Sequence, residues 1–408
     1  MKRLERGSRR PGSTRWSLQA VHFVALMMVW EADSVLQDRF RSARDHFVEM
    51  FPRGRRPGKS YQGFVKAQAK ISPAMKRHLL DHLGRHHQRI ARNAWQWRGW
   101  TAFACDGSRI EAPRTARNQR ALGRAGRKKT GPQLFVTILY HMGTGLPWNW
   151  TIGKGTASER DHLRSMLAAL PPGSLIVADG GFVGYELMTA IVAQGHSFLI
   201  RAGSNVRLLT HLDGRSQAGG RRHWLWPNKQ RPRPPMRLRL IRVGKVCLLT
   251  NVLESSALSK RTAGEFYRLR WGVEVLFRSY KQTLERRRLR SRSPQTARAE
   301  LHWGLIALLL LGLMSLERRP RRAHPAAHSI AGALRIIRHA LRTTAAWRRQ
   351  GNLLDLLKHA RQDDYVRLRP KRSRHYPRKK TEAPAGSPTI RRATAKEKQA
   401  AQRFQRAA

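Results

Sequence analysis

YRLRWGVEVLFRSYK, running from Tyr267 to Lys281, places Tyr267, Arg270, Glu274 and Lys281 at offsets of 0, 3, 7 and 14. At about 100° per residue these offsets fall near about 0°, 300°, 340° and 320°, so the side chains share an arc roughly 60° wide. The opposite side carries Leu269, Val273, Leu276 and Tyr280, an apolar stripe of the kind that packs on a core. One reading is an amphipathic surface helix with an i, i+4 pair between Arg270 and Glu274. The other is a helix anchored on one side and chemically equipped on the other.

The rest of the chain favours the second reading. Its 408 residues hold 81 Lys and Arg against 25 Asp and Glu, a formal net charge of +56. Self-repulsion on this scale opposes compaction unless a polyanion is near. Nucleic acid is the natural partner, because each neutralised phosphate releases counterions. The bland alternative is a basic, solvated surface. Cys105 and Cys247 form no CxxC pair and no disulfide framework, which fits a reducing cytoplasm. No zinc site is readable, and His141 and His162 stand without ligand spacing. The apolar runs 20–30 and 305–314 read as buried helices. The first lacks a small-residue cleavage site, and the second is too short to span a bilayer.

Residues 1–15 are basic and read as disordered, and 16–95 have helical patterning. From residue 96 the pattern changes. WTAFACDGS (100–108), QLFVTILYHM (133–142), PWNWTIGKG (147–155), SLIVADGGF (174–182) and SFLIRAG (197–203) read as strands. SERDHLRSMLAAL (158–170) and GYELMTAIVAQ (184–194) read as helices between them, the first opening on a capping box from Ser158 and Asp161. Residues 204–255 look like a β-rich insertion. Ser293 and Pro294 suit the cap and first position of a helix to about residue 317. Residues 317–365 read as helical, and 366–408 as a basic disordered tail. The element order is that of an α/β ribonuclease-H-like fold. Its first three strands form a meander, and the fourth lies parallel beside the first.

That order puts Asp106 and Asp179 at the ends of neighbouring parallel strands, about 4.8 Å apart. Both precede glycine, and Asp-Gly is also a common turn dipeptide, the reading kept for Asp213-Gly214. Glu274 supplies a third acid from its helix. Glu111, Glu186, Glu265 and Glu285 are its competitors, and Glu285 shares its helix side but lies further along. Converging carboxylates repel one another unless a cation binds them, and hard Mg²⁺ or Mn²⁺ suits an all-oxygen set. Two such ions clamp the attacking and leaving oxygens of an in-line phosphoryl transfer.

These residues resemble the DDE transposases of the insertion-sequence-four type. That family carries Y-x2-R-x3-E-x6-K, which Tyr267, Arg270, Glu274 and Lys281 match without a gap. CDGSRIEAPRTARNQRALG around Asp106 and VADGGFVGYEL around Asp179 are similar too, and the likeness covers roughly 100–316. The resemblance implies a ribonuclease-H-like catalytic domain at 96–316 with its insertion at about 204–255. It implies two divalent metals on Asp106, Asp179 and Glu274, and DNA phosphates held by Tyr267, Arg270 and Lys281. Water would cut the phosphodiester at the transposon end, and the freed 3′-OH would attack the opposite strand or target DNA. Trp224 and Trp226 are the candidates for the insertion Trp that stacks on a flipped base in parts of that family, or they are strand core residues. The implied partners are double-stranded DNA (terminal inverted repeats and target) and a second copy in a synaptic complex, with no membrane. The implied setting is a prokaryotic cytoplasm, at the nucleoid. The 16–95 region is the candidate for end recognition. The competing reading is an inactive, transposase-derived DNA-binding protein. A decayed copy tends to lose one acid, and all three are present.

Overall fold

A computed structural model describes residues 15–32, 35–123, 131–213, 222–317, 329–342, 353–360 and 386–406. The described chain opens with helices α1 Leu18–Trp30, α2 Leu36–Met50, α3 Tyr61–Ala69 and α4 Pro73–Ala91. Next come β1 Ala102–Glu111, α5 Ala116–Leu122, β2 Gln133–His141, β3 Leu146–Lys154, α6 Glu159–Met166, β4 Leu175–Ala178, α7 Tyr185–Ala193 and β5 Ser197–Ala202. Strands β6 Arg207–Thr210, β7 Arg222–Leu225, β8 Met236–Val243 and β9 Val246–Thr250 fall inside the stretch read as an insertion. Helices α8 Lys260–Leu269, α9 Gly272–Arg278, α10 Pro294–Glu317, α11 Ile330–Arg342 and α12 Leu353–Leu357 follow. The described chain ends with β10 Thr389–Arg392 and α13 Ala395–Arg406.

The strands form one mixed sheet in the order β10-β6-β7-β8-β9-β5-β4-β1-β2-β3. β1, β2 and β3 make an antiparallel meander, and β4 lies parallel to β1. β5 continues parallel to β4, and β9 pairs antiparallel with β5. Alternation along β1 separates two cores. Ala104 and Ile110 face a cluster with Val273, Leu276, Leu301 and the N-terminal helices. Phe103 and Cys105 face a second cluster with Leu163 and Met166 of α6 and Met188 of α7. The sheet is therefore covered on both faces, with α9 on one and α6 on the other.

The apolar runs become buried helices. α1 is capped by Ser17, and Arg286 donates to the carbonyls of Met28 and Val29 at its far end. This places a buried cation where the helix dipole is negative. Ser293 caps α10, its Oγ accepting from Thr296 N at 3.3 Å. α10 is long and apolar enough to cross a membrane by composition, yet most of its apolar stretch is buried inside the protein.

Several expectations change. β1 does not stop at Asp106 but runs on to Glu111, because β2 pairs with it through the whole length. Asp106-Gly107 is thus mid-strand rather than a turn. The helix at 267–281 is not one cylinder. It tightens where Val273 N bonds Arg270 O and Glu274 N bonds Trp271 O, then widens into a π segment over Ser279–Thr283. Leu269 is exposed, while Val273, Leu276 and Tyr280 are buried. The expected tail is partly folded. β10 adds to β6, and Ala393, Ala401 and Phe404 pack on Leu209, Trp224 and Trp226. Residues 1–14 and 361–385, read as disordered or, in part, helical, lie outside the described residues, as does Gly214.

Candidate active site

The parallel register sets Cys105 opposite Ala178. The next residue on each strand is a carboxylate, so Asp106 and Asp179 sit side by side where β4 ends and β1 continues. Each carboxylate accepts from the amide that follows it, Gly107 N at 2.9 Å and Gly180 N at 2.7 Å. Those bonds fix both side chains at the sheet edge.

α9 lies close on this edge because Gly272 lacks a side chain. A Cβ there would stand 2.5 Å from the Tyr140 hydroxyl on β2. Val273 and Leu276 anchor α9 in the core, and Glu274 stays partly exposed beside them. Glu274 Oε1 accepts from Arg270 Nη2 at 3.1 Å. The Tyr267 hydroxyl donates to Asp179 Oδ1 at 3.2 Å, and Arg201 stands 3.9 Å from the same oxygen. Lys281 Nζ, carried on the π segment, donates to Ser108 Oγ at 2.7 Å. Each of the four signature residues therefore reaches the same edge of the sheet. π turns are often found at functional sites, and this one redirects Lys281 towards β1.

The electrostatics are those of crowded acids. Burial pushes the Asp106 carboxyl up to about 6; the Gly107 amide and Arg270 oppose the rise, while Glu274 and Asp179 add to it. Burial works against the charge on Arg270, but Tyr267, Asp179, Asp106 and Glu274 outweigh it and hold the guanidinium's pKa above its ordinary value. Burial also lowers the Lys281 pKa, helped by Arg287 and opposed by Glu111 and Asp106. Arg270 Nε is buried without a hydrogen-bond partner.

The competing acids are committed elsewhere. Glu111 pairs with Arg288 at 3.2 Å, and Glu265 with Arg261 and Arg98. Glu186 accepts from Gln230. Glu285 sits at a positive φ beyond the π segment.

A further carboxylate escaped the sequence reading. Glu159 opens α6 and approaches β1 from the face opposite α9. A Cβ on Gly107 would lie 2.5 Å from Glu159 Oε1 and 2.6 Å from Phe135 Cζ. Burial raises the Glu159 carboxyl, and Asp106 and Asp179 raise it further against Arg109. The only sequence signal was its place next to the cap Ser158, which does accept from Asp161 N.

The structure does not bring Trp224 and Trp226 to this edge. They are 7% and 3% exposed and belong to the small core under α13. The Trp226 Nε1 donates to the carbonyls of Gln230 and Arg233, and Arg231 stacks on its ring. Both rings are packing residues here, because the folded C-terminal segment covers them. His141 and His162 bond to Trp95 O and Thr137 Oγ1. Cys105 is fully buried.

Asp106, Asp179 and Glu274 offer only oxygen donors, the set that hard divalent ions prefer. Among the described residues no group of three acids, His or Cys is drawn close enough to hold an ion as it stands. Tyr267 and Arg201 engage Asp179, and Arg270 engages Glu274. Burial disfavours the charged form of Asp106, and Glu274 and Asp179 add to this, a penalty that a bound cation would relieve.

Residues 97–310 match the family model described as the transposase DDE domain. Over 312 residues the chain is 24% identical to the transposase InsG for insertion sequence element IS4 of Escherichia coli (strain K12), covering 72% of this chain and 70% of that protein. It is also similar to a solved structure, the piggyBac transposase synaptic complex with hairpin DNA. That likeness has a TM-score of 0.40 and 13% identity over 89% of this chain and 81% of that one.

Proposed function

Since the chain belongs to the transposase DDE-domain family, and is thus an insertion-sequence DNA transposase with nuclease and strand-transfer activity, we propose that Asp106, Asp179 and Glu274 are its catalytic carboxylates. The observation that carries this is the register of β1 and β4, which sets Asp106 beside Asp179 with Tyr267 bonded to the second. The domain around them is ribonuclease-H-like, with the insertion at about 204–255. Members of this family use divalent metal ions, and these three acids would hold two Mg²⁺ or Mn²⁺. When bound, the ions supply Lewis-acid stabilisation to the attacking and leaving oxygens.

The protein's own groups then divide the remaining work. Tyr267 fixes Asp179, and Arg270 fixes Glu274 and opposes the rise in the Asp106 pKa. The Arg270 guanidinium and the Lys281 ammonium would receive phosphate oxygens and set the register of the scissile strand. Hydrolysis breaks the P–O3′ bond at the transposon end, leaving a 3′-OH on one side and a 5′-phosphate on the other. That hydroxyl attacks a second phosphodiester, in the opposite strand or in target DNA. The partners are terminal repeats, target DNA and a second copy of the chain. The helices of 16–95 recognise the end sequence, and the work is done at the nucleoid.

The test uses DNA carrying the sequences that flank this gene, incubated with the full chain in Mg²⁺ and in EDTA. Mg²⁺-dependent nicks with 3′-OH ends at the borders of an inverted repeat are expected. Binding without cleavage in either Mg²⁺ or Mn²⁺ would make the chain a DNA-binding relic.

A further inference from the structure

We propose that the cavity bounded by α6, α7, the insertion and β10 binds the phosphates of a short single-stranded stretch of DNA, and that the C-terminal segment 386–406 completes it. This rests on the reading that the chain acts on DNA. The cavity holds about 640 Å³. That is within the roughly 300–1,000 Å³ of small-ligand sites, so it takes about one or two nucleotides of a strand and no duplex.

Its cationic lining is Arg160, Arg164, Arg207, Lys229, Arg231 and Arg391, against the acids Asp161 and Glu186. Both acids already face Arg164, at 4.0 and 3.9 Å. The side chains of Arg207 and Lys229 have no hydrogen bond or ion pair among the described residues. The excess charge is therefore positive and uncompensated, as a phosphate chain requires. The cavity also adjoins the carboxylates. Arg160 follows Glu159 on α6, and its Nε donates to the carbonyl of Gly181, just past Asp179, at 2.8 Å.

The wall is built rather than incidental. Glu397 on α13 accepts from Arg231 Nη2 at 2.6 Å and from Arg391 at 2.6 and 2.8 Å. It also accepts from Thr394 N at 2.9 Å, and its side chain is only 13% exposed. Arg231 Cζ stands 4.3 Å from the centre of the Trp226 ring. Two arginines from distant parts of the chain are thus locked at the cavity by one partly buried acid and one buried aromatic. Donors fixed in advance lose little freedom when an anion arrives.

The sign of one substitution separates this site from general attraction. Glu397→Gln removes a negative charge, so a merely basic surface would bind DNA as well or better. The built site predicts the reverse for a single strand, because Arg231 and Arg391 lose their anchor. The experiment measures anisotropy of labelled DNA with the full chain in EDTA, comparing a blunt duplex with the same duplex bearing a short single-stranded overhang. The native chain is expected to favour the overhang by about tenfold. Glu397→Gln should reduce that preference to near one while leaving blunt-duplex binding in place. Arg207→Ala combined with Lys229→Ala should do the same without touching the α13 anchor. It should also flatten the salt dependence for the overhang by about 0.7 per lost contact. An overhang preference unchanged in the double variant, or absent from the native chain, overturns the proposal. Blunt-duplex binding and Mg²⁺-dependent cleavage would survive that result, so the transposase reading stands or falls separately.

Discussion

The Tyr267 hydroxyl donates to Asp179 Oδ1 at 3.2 Å, joining the first residue of the helical signature to the carboxylate just past the end of β4. That bond ties α8 to the end of β4 and adds a second donor to an oxygen that already accepts from Gly180 N at 2.7 Å. Burial and the adjacent Asp179 charge both raise the tyrosine's pKa, so it stays a donor through the neutral range.

Tyr267→Phe keeps the ring that Arg270 stands over but loses this bond. A hydrogen bond to a charged acceptor contributes about 1.5–3 kcal/mol, so cleavage should fall by roughly tenfold or more. The melting temperature should fall by no more than several degrees, since the hydroxyl lies at the sheet edge rather than in the core. Single-turnover cleavage beside a thermal melt separates the two effects.

Gly107→Ala tests the packing of α6 on β1. Its Cβ would press on Phe135 Cζ at 2.6 Å and Glu159 Oε1 at 2.5 Å. Overpacking of this kind costs about 1–3 kcal/mol, read as a lower denaturation midpoint at unchanged slope. Adding Glu159→Ala should restore part of the loss, because one of the two obstructions is then gone. No restoration would show that Phe135 alone sets the cost.

The raised Asp106 carboxyl makes a pH prediction for the metal-free protein. Its folded value of about 6 lies above the ordinary aspartate value. Such a group stabilises the fold while protonated, and that stability is lost as pH rises from about 4 through about 6. Asp106→Asn should therefore gain about 1–3 kcal/mol over the native chain at pH 7.5 in EDTA, and much less at pH 4.5. Added Mg²⁺ should narrow the gap at pH 7.5 by stabilising the native carboxylate set. Equal pH dependence in both proteins would contradict the assignment of the shift to Asp106.

Arg270→Ala removes the guanidinium that pairs with Glu274 at 3.1 Å and carries the unpartnered Nε. Binding to DNA should weaken and its salt dependence should lose about one contact. Titrations at several salt concentrations give the slope. An unchanged slope would remove Arg270 from the phosphate contacts.

Much of this site could be read from sequence, for reasons that are local. Strand runs such as SLIVADGGF carry their own hydrophobic pattern, so the placement of Asp179 after β4 followed directly. Asp106 was harder. Its Asp-Gly looks like a turn, and only pairing with the distant β2 keeps β1 extended to Glu111. The wheel over 267–281 grouped four side chains that do reach one sheet edge, although the helix tightens at Arg270 and widens at Ser279. Glu159 left almost no trace, since its approach to Gly107 depends on how α6 packs across the sheet. The C-terminal segment misled for a similar reason. Its few apolar residues, Ala393, Ala401 and Phe404, find partners only in the insertion, so no local period announces them.

The most direct measurement is Mg²⁺-dependent cleavage of terminal-repeat DNA by Glu274→Gln, with binding of the same DNA measured in parallel. The substitution removes one charge of the proposed metal-binding set with little change of shape, and leaves an amide oxygen that Arg270 can still bond. Cleavage abolished with binding retained is the predicted result. Cleavage retained at the native rate would contradict Glu274 as the third acid.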